Sequence, residues 1–391
     1  MKRSTNMSSC SFLENWKNNI DDLIANHPLQ IISWEATRRC NLNCLHCGSP
    51  SEEVKLKEEL TTTEVIDAFN QIAKDFDMSQ FRHINITGGE PLVRKDLLTI
   101  LSEISKYSFY RNIDIQTNGI VLAKHPELLG QLKNYGVTGI GVSIDGLQET
   151  HDQFRRRNGG YESAFRAAKT AVEAGFTVTV STVANATNIK EIPELYELVK
   201  KEIKPRVFRV MTVDPIGRAG IEQKYLLSPE QTQEVISFLL KEYTNHCEDY
   251  HNSKTTMVEL GCGGWLGSEL EGLVRPFIFH CVAGINNLGI LYDGKLAACS
   301  NIPRELGFEG DLRKDRIKDV WNEKYQMYRN PEWKKTGECQ DCGEWKYCHG
   351  GPMHKMRADG TRTDCLYQTL ANSKDYRVCA LEQAIKMIGG S

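Results

Sequence analysis

The sequence predicts an α/β protein, a partial barrel of six parallel βα units followed by a small cysteine-rich α+β domain. Two observations predict this. Between residues 31 and 212, six short apolar segments alternate with five helical patterns, and parallel strands need such crossovers. Six units are too few to close an ordinary eight-fold barrel. Beyond residue 212 the alternation weakens and cysteine takes over, with eight of the thirteen cysteines between positions 262 and 379. A chain of 391 residues is long enough for more than one such domain.

Residues 1–30 read as a helix, with Phe12, Trp16, Ile20 and Ile24 repeating every four residues. Such a stripe suits a lid packed on the barrel. Strands are expected at 31–36, 83–87, 112–116, 138–143, 177–183 and 206–212. Helices are expected near 64–75, 96–106, 126–134, 161–174 and 191–201. Thr61 followed three residues later by Glu64 is a capping-box signature for the first of them. Pro215-Ile216-Gly217-Arg218 marks a turn, and a helix is expected at 229–244. The resulting division is a lid at 1–30, a barrel at 31–225, a helical bridge at 226–260 and the cysteine-rich domain at 261–391.

The formal net charge of −3 gives no basic field for nucleic acid or an anionic membrane surface. No apolar run approaches a membrane span, and the N-terminus lacks the pattern of a signal peptide. Thirteen cysteines, an odd number, resist a pure disulfide framework and point to metal ligation in a reducing compartment. The cytoplasm is the expected location.

Cys40, Cys44 and Cys47 are spaced C-x3-C-x2-C after the first strand. Three thiolates on one short loop can hold three corners of a cubane iron–sulfur cluster and leave the fourth iron open. Structural zinc wants four ligands, and no fourth stands nearby. Some forty residues on, Ile84-Asn85-Ile86-Thr87 runs into Gly88-Gly89-Glu90-Pro91. The two glycines let backbone approach a ligand, and Glu90 could meet an ammonium group. Taken together, the cysteine loop and the Gly-Gly-Glu-Pro turn closely resemble the radical S-adenosylmethionine superfamily. The resemblance implies a partial TIM-like barrel. It also implies that the methionine amine and carboxylate of the cofactor chelate the open iron while Gly88, Gly89, Glu90 and Pro91 bind the amine.

In βα barrels chemistry sits at the C-terminal strand ends. Gln116-Thr117-Asn118-Gly119 and Ser143-Ile144-Asp145-Gly146 close the third and fourth strands, and His151 to Arg155 follows. Asn-Gly and Asp-Gly are also common turn pairs. Ser143 and Arg155 resemble the family's contacts to the cofactor's ribose and carboxylate, and Asn118 joins the candidate cofactor contacts. For Asn118, Asp145 and His151, local structural hydrogen bonding stays open beside ligand contact. His46 stands where the family places a flat side chain against the adenine. Gly136, Gly139 and Gly141 do not make a dinucleotide loop, because the G-x-G-x-x-G spacing opening a helix is absent.

Among the later cysteines, Cys281, Gly294 and Cys299 precede Cys339-x2-Cys342-x5-Cys348 and the pair Gly350-Gly351. This order closely resembles the SPASM extension of radical S-adenosylmethionine enzymes, which holds two auxiliary 4Fe–4S clusters. By position, the resemblance assigns Cys281 and Cys299 to the first cluster, with Cys262 upstream as a further candidate. Cys339, Cys342, Cys348 and Cys365 fall to the second. The pattern expects a cysteine at position 352, and this chain has Pro352. Cys379 or His354 could replace it, or an iron could stay open. Cys10 and Cys247 read as ordinary residues.

The resemblance implies reductive cleavage of S-adenosylmethionine to a 5′-deoxyadenosyl radical and modification of a ribosomally made peptide or protein side chain. It also implies an electron donor such as flavodoxin or ferredoxin. Sulfatase maturation is a named alternative, but the aspartate those enzymes place after the cysteine equivalent to Cys299 is Ser300 here. A non-enzymatic iron–sulfur electron carrier is the alternative of a different class. It leaves Gly88, Gly89 and Glu90 without a purpose.

Overall fold

The computed structural model describes residues 9–48, 58–251 and 254–372. Helix α1 (Ser9–Asn26) leads into β1 (Ile31–Thr37). Then come α2 (Thr62–Asp75), β2 (His83–Gly88), α3 (Leu97–Ile104), β3 (Ile113–Thr117), α4 (Ile120–Lys124) and α5 (Leu128–Asn134). These are followed by β4 (Val137–Ser143), α6 (Gln148–Arg155), α7 (Gly160–Glu173), β5 (Thr177–Ala184), α8 (Ile192–Glu202) and β6 (Val207–Thr212). All six expected strands form, each within one residue of its expected bounds. At the start of α2, Thr61 and Glu64 make the reciprocal capping box.

The sheet extends beyond these six. After α9 (Gly217–Ile221) and α10 (Pro229–His251), strand β7 (Met257–Leu260) pairs in parallel with β6. The segment expected as a bridge therefore continues the βα alternation, and α10 is its crossover. From the cysteine-rich region, β8 (Asn287–Ile290) pairs in parallel with β1 on the other side. A hairpin adds β9 (Lys295–Ala297) and β10 (Gly310–Asp311), giving the order β10-β9-β8-β1-β2-β3-β4-β5-β6-β7. Eight neighbouring strands are thus parallel. Each of β7 and β8 has only four residues, all buried, too few to show a period.

The core lies between the sheet and its outer helices. Trp34, Phe69 and Tyr110 are fully buried and meet edge to face, with ring centroids 5.9 and 5.4 Å apart, an arrangement that adds to the gain from burial. Helix α1 does not cover the barrel as expected for a lid. Leu13 packs with Trp265, Phe279 and Tyr347 of the cysteine-rich region, Trp16 stacks on Trp265 at 5.9 Å, and the Tyr347 hydroxyl donates to Glu14 at 3.0 Å. The aromatic side chains that could bury an exposed apolar stripe stand there. Phe12 has no described side chain. No helix of the described residues is long and apolar enough to cross a membrane.

Candidate functional site

Strand β1 slips register between Glu35 and Thr37, and the chain enters the three-cysteine loop immediately afterwards. That loop is tied to the next one by backbone. Gly89 N donates to Thr37 O at 2.7 Å and Glu90 N to Arg39 O at 2.8 Å. A Cβ on Gly88, whose φ is +144°, would lie 2.1 Å from Thr37 O, and one on Gly89 would lie 2.2 Å from Arg39 O. The glycines are required first by this loop-to-loop approach, a reason the sequence motif does not reveal. Arg94, which the sequence reading passed over, is buried and donates to Ala36 O at 2.6 Å and Leu60 O at 2.8 Å.

Glu90 is 1% exposed. Its Oε1 accepts from the Thr117 hydroxyl at 2.7 Å and Leu92 N at 3.3 Å, and Oε2 accepts from Asn118 N at 2.7 Å. Burial raises its pKa against the pull of those donors. The carboxylate is thereby oriented with lone-pair capacity to spare, and it acts electrostatically on Cys40. Asn118 spends its side chain locally, donating to Asn41 Oδ1 at 2.7 Å and accepting from Ile120 N at 3.1 Å. It anchors the cysteine loop to the end of β3. Pro91 opens the short 3₁₀ turn Pro91–Val93, which Glu90 caps.

On the far side of the loop, Leu45 N donates to Phe154 O at 2.9 Å, and Arg218 Nε donates to Cys44 O at 2.6 Å. Arg155 is buried and pairs with Asp145 through Nε at 2.7 Å. The other oxygen of Asp145 accepts from Val183 N at 2.8 Å. His151 Nδ1 accepts from Asp145 N at 3.1 Å, so Asp145 and His151 serve local hydrogen bonding. Burial depresses the His151 pKa to about 4. The ring of His46 stacks on Phe154 at 4.5 Å and 11°, and burial pulls its pKa to about 4, so it is neutral. Its Nδ1 is buried without a hydrogen-bond partner. Ser143 ends β4 beside Ser181, partly exposed at the barrel mouth.

No disulfide joins the ten cysteines whose side chains are described, which fall into three groups. Cys40, Cys44 and Cys47 act on one another electrostatically, and burial pushes the Cys40 thiol up to about 11. Cys262, Cys281 and Cys299 form the second group. Cys339, Cys342, Cys348 and Cys365 form the third, with Cys348 pushed by burial up to about 12. Buried thiols this basic become thiolates only beside a compensating positive charge, as iron supplies. Donors to sulfur are in place, since Met353 N lies 3.4 Å from Cys281 Sγ and Arg362 donates to Cys339 Sγ at 2.5 Å. The chemistry of these unpaired thiols suits iron–sulfur clusters, although among the described residues no three His, Cys, Asp or Glu side chains converge closely enough to hold a single metal ion. Cys379 lies outside the described residues. His354, weighed as a substitute ligand, instead pairs with Asp214 at 3.2 Å.

A cavity of about 820 Å³ joins the first two groups. Cys47, His46, Thr87 and Gly88 line it together with Cys262, Ser300 and His354. Glu35, Arg38, Asp214, Arg218 and Arg304 also face it, none of them singled out in the sequence. A lone acid in the apolar strand Ile31-Ile32-Ser33-Trp34-Glu35 was the available signal for Glu35, which pairs with Arg304 at 2.7 Å.

The Radical SAM superfamily model matches residues 34–199, and that of SPASM, an iron–sulfur cluster-binding domain, matches residues 281–343. The mitochondrial GTP 3′,8-cyclase of Arabidopsis thaliana is 30% identical over 285 residues, 71% of this chain and 68% of that protein. This chain belongs to the radical SAM superfamily. Other radical SAM relatives differ in what they act on. AdoMet-dependent heme synthase of Methanosarcina barkeri is 27% identical over 87% of this chain and 97% of its own length. PqqA peptide cyclase of Rhizobium meliloti is 27% identical over 86% of each chain. Two solved structures share the fold. One is anSMEcpe with bound AdoMet and Cp18Cys peptide (TM-score 0.67, 18% identity, 91% of this chain and 98% of that one). The other is SuiB of Streptococcus suis with precursor peptide SuiA (TM-score 0.62, 16% identity, 93% and 82%). The protein is accordingly a radical SAM enzyme with a SPASM domain, using S-adenosylmethionine, a 4Fe–4S cluster and auxiliary iron–sulfur clusters.

Proposed function

We propose that this radical SAM enzyme modifies a side chain of a ribosomally made peptide or protein by hydrogen abstraction. The core cluster and S-adenosylmethionine, when bound, supply a 5′-deoxyadenosyl radical able to take hydrogen from an unactivated C–H bond. In this reading Cys40, Cys44 and Cys47 hold the core cluster, and Gly88, Gly89 and Glu90 receive the methionine ammonium. Arg155, its Nε committed to Asp145, offers its remaining N–H groups to the cofactor carboxylate. Ser143 meets the ribose, and the neutral ring of His46 lies against the adenine. Cys262, Cys281 and Cys299 hold one auxiliary cluster, and Cys339, Cys342, Cys348 and Cys365 hold the other. A flavodoxin- or ferredoxin-type protein is the proposed electron donor.

The observation that carries the reading is the cavity reaching from Cys47 to Cys262. It is roomy enough for a side chain with its flanking backbone and opens to solvent, so a peptide could enter it. The heme synthase relatives raise a tetrapyrrole as a second substrate class. Its carboxylates would require surplus cations. Here the lining sets Arg38, Arg218 and Arg304 against Glu35, Asp214 and Glu305, with Arg304 paired to Glu35, so it holds no excess of arginines over carboxylates. That balance favours a peptide. Ser300, at the position where sulfatase maturases carry an aspartate, speaks against that activity.

The test is anaerobic reconstitution, assay for 5′-deoxyadenosine with dithionite and S-adenosylmethionine, and then mass spectrometry of short peptides encoded beside this gene. Formation of 5′-deoxyadenosine together with a mass change in such a peptide supports the reading. Turnover of a tetrapyrrole with no peptide modified would refute it, and absence of 5′-deoxyadenosine would leave an electron carrier.

A further inference from the structure

We infer that Lys334 is a fixed positive charge set between the two auxiliary cysteine groups, where it raises the reduction potentials of both clusters and couples them. The inference rests on the ligand assignment proposed above. Lys334 ends the 3₁₀ segment Pro331–Lys334 and is 4% exposed. Among the described residues no carboxylate lies within ion-pair distance of its ammonium. Burial pulls its pKa down, and Cys281 of one group and Cys348 and Cys339 of the other pull against that shift and favour the ammonium. Lys334, Cys281 and Cys348 line one small enclosed cavity with Tyr328, His349 and Met353.

The fold makes room for this side chain. Gly350 has φ +82°, and a Cβ there would come within 3.1 Å of Lys334 Cβ and 3.3 Å of Cε. The glycine after Cys348 thus lets the lysine stem pass beneath the ligand loop. A buried ammonium without a counter-charge is costly, and cysteinate-bound clusters are anionic and gain negative charge on reduction. A cation held beside them favours the reduced state, since net charge and hydrogen bonds to sulfur set cluster potentials. Arg362 and Met353 N each reach one group, whereas Lys334 acts on both. Reducing either cluster then partly uses the charge that favours reducing the other.

Wild type, Lys334→Met and Lys334→Arg are reconstituted anaerobically with iron and sulfide. Their iron is counted, and each cluster is titrated with dithionite under electron paramagnetic resonance. The methionine variant is expected to keep its iron and its core-cluster potential. Both auxiliary clusters should become harder to reduce by about tenfold in the reduction equilibrium, ~59 mV for one electron, with arginine restoring the wild-type values. Full iron with unchanged auxiliary potentials, or an equal shift in the core cluster, overturns the inference. If the methionine variant loses auxiliary iron, Lys334→Gln is compared with Lys334→Arg. Iron kept by arginine and lost by glutamine supports the charge, and iron lost by both overturns it. Wild-type protein holding only the core iron would defeat the ligand assignment itself, an outcome the iron count distinguishes.

Discussion

At the barrel mouth three cysteines share one loop, and hydrogen bonds from Gly89, Glu90, Arg94, Asn118 and Arg218 fasten that loop to neighbouring strand ends. In the C-terminal region the cysteines come from segments scattered between positions 262 and 365, joined by short strands, short helices, 3₁₀ turns and loops. The first arrangement is fastened to the barrel by these hydrogen bonds, which involve protein atoms alone. The second is built from shorter elements, so more of its order is expected to come from the ligands it binds, as in small metal-dependent domains. One region places a cofactor, and the other is stapled by one.

The largest expected effect breaks the first region chemically while sparing its fold. Replacing Cys40, Cys44 and Cys47 together by Ala should abolish 5′-deoxyadenosine formation and leave the protease-digestion pattern and the auxiliary iron unchanged. Loss of the barrel's protease resistance would show that the loop depends on its cluster after all. Replacing Cys339 and Cys342 by Ala should do the converse, with about one cluster's iron lost and the C-terminal region cut readily by protease around a resistant barrel. Equal resistance in both mutants would erase the contrast.

Smaller effects sharpen it. Glu90→Ala should weaken S-adenosylmethionine binding by about 1.5–3 kcal/mol, as for a hydrogen bond to a charged group, read by equilibrium dialysis. Unchanged affinity would remove Glu90 from the site. His151 has a folded pKa depressed from 6.5 to about 4 by burial, so the unfolded chain binds its proton first as pH falls. Its contribution to stability is present above about 6.5 and is lost as pH falls towards 4. His151→Asn should flatten that part of the stability curve in denaturant titrations, and an unaltered slope would count against a neutral buried ring. Least of all, Thr61→Ala removes the capping box of α2 and should cost about 1 kcal/mol of thermal stability.

The barrel was legible because buried parallel strands are short apolar runs and their helices repeat on a separate period. The cysteine loop and Gly-Gly-Glu-Pro turn were legible because each residue type carries its chemistry in its spacing. What escaped depended on distant partners. Four buried residues in Met257–Leu260 or Asn287–Ile290 show no period, and only the edges of the finished sheet make them strands. The stripe on α1 announced burial but not against what, and Trp265, Phe279 and Tyr347 received it. Gly88 and Gly89 were expected to admit a ligand and first admit the neighbouring loop. Asn118 was left open between a cofactor contact and a local hydrogen bond, and its side chain ties down Asn41.

Strand β8 lies against β1, from Ile31 beside Asn287 to Trp34 beside Ile290. The strand that delivers the chain to Cys40 and the strand that leads towards Cys299 are therefore adjacent rungs of one hydrogen-bonded ladder. A hinge between the two halves would have to break that ladder. The spacing of these two cysteine-bearing segments is therefore set by sheet geometry and not by a linker.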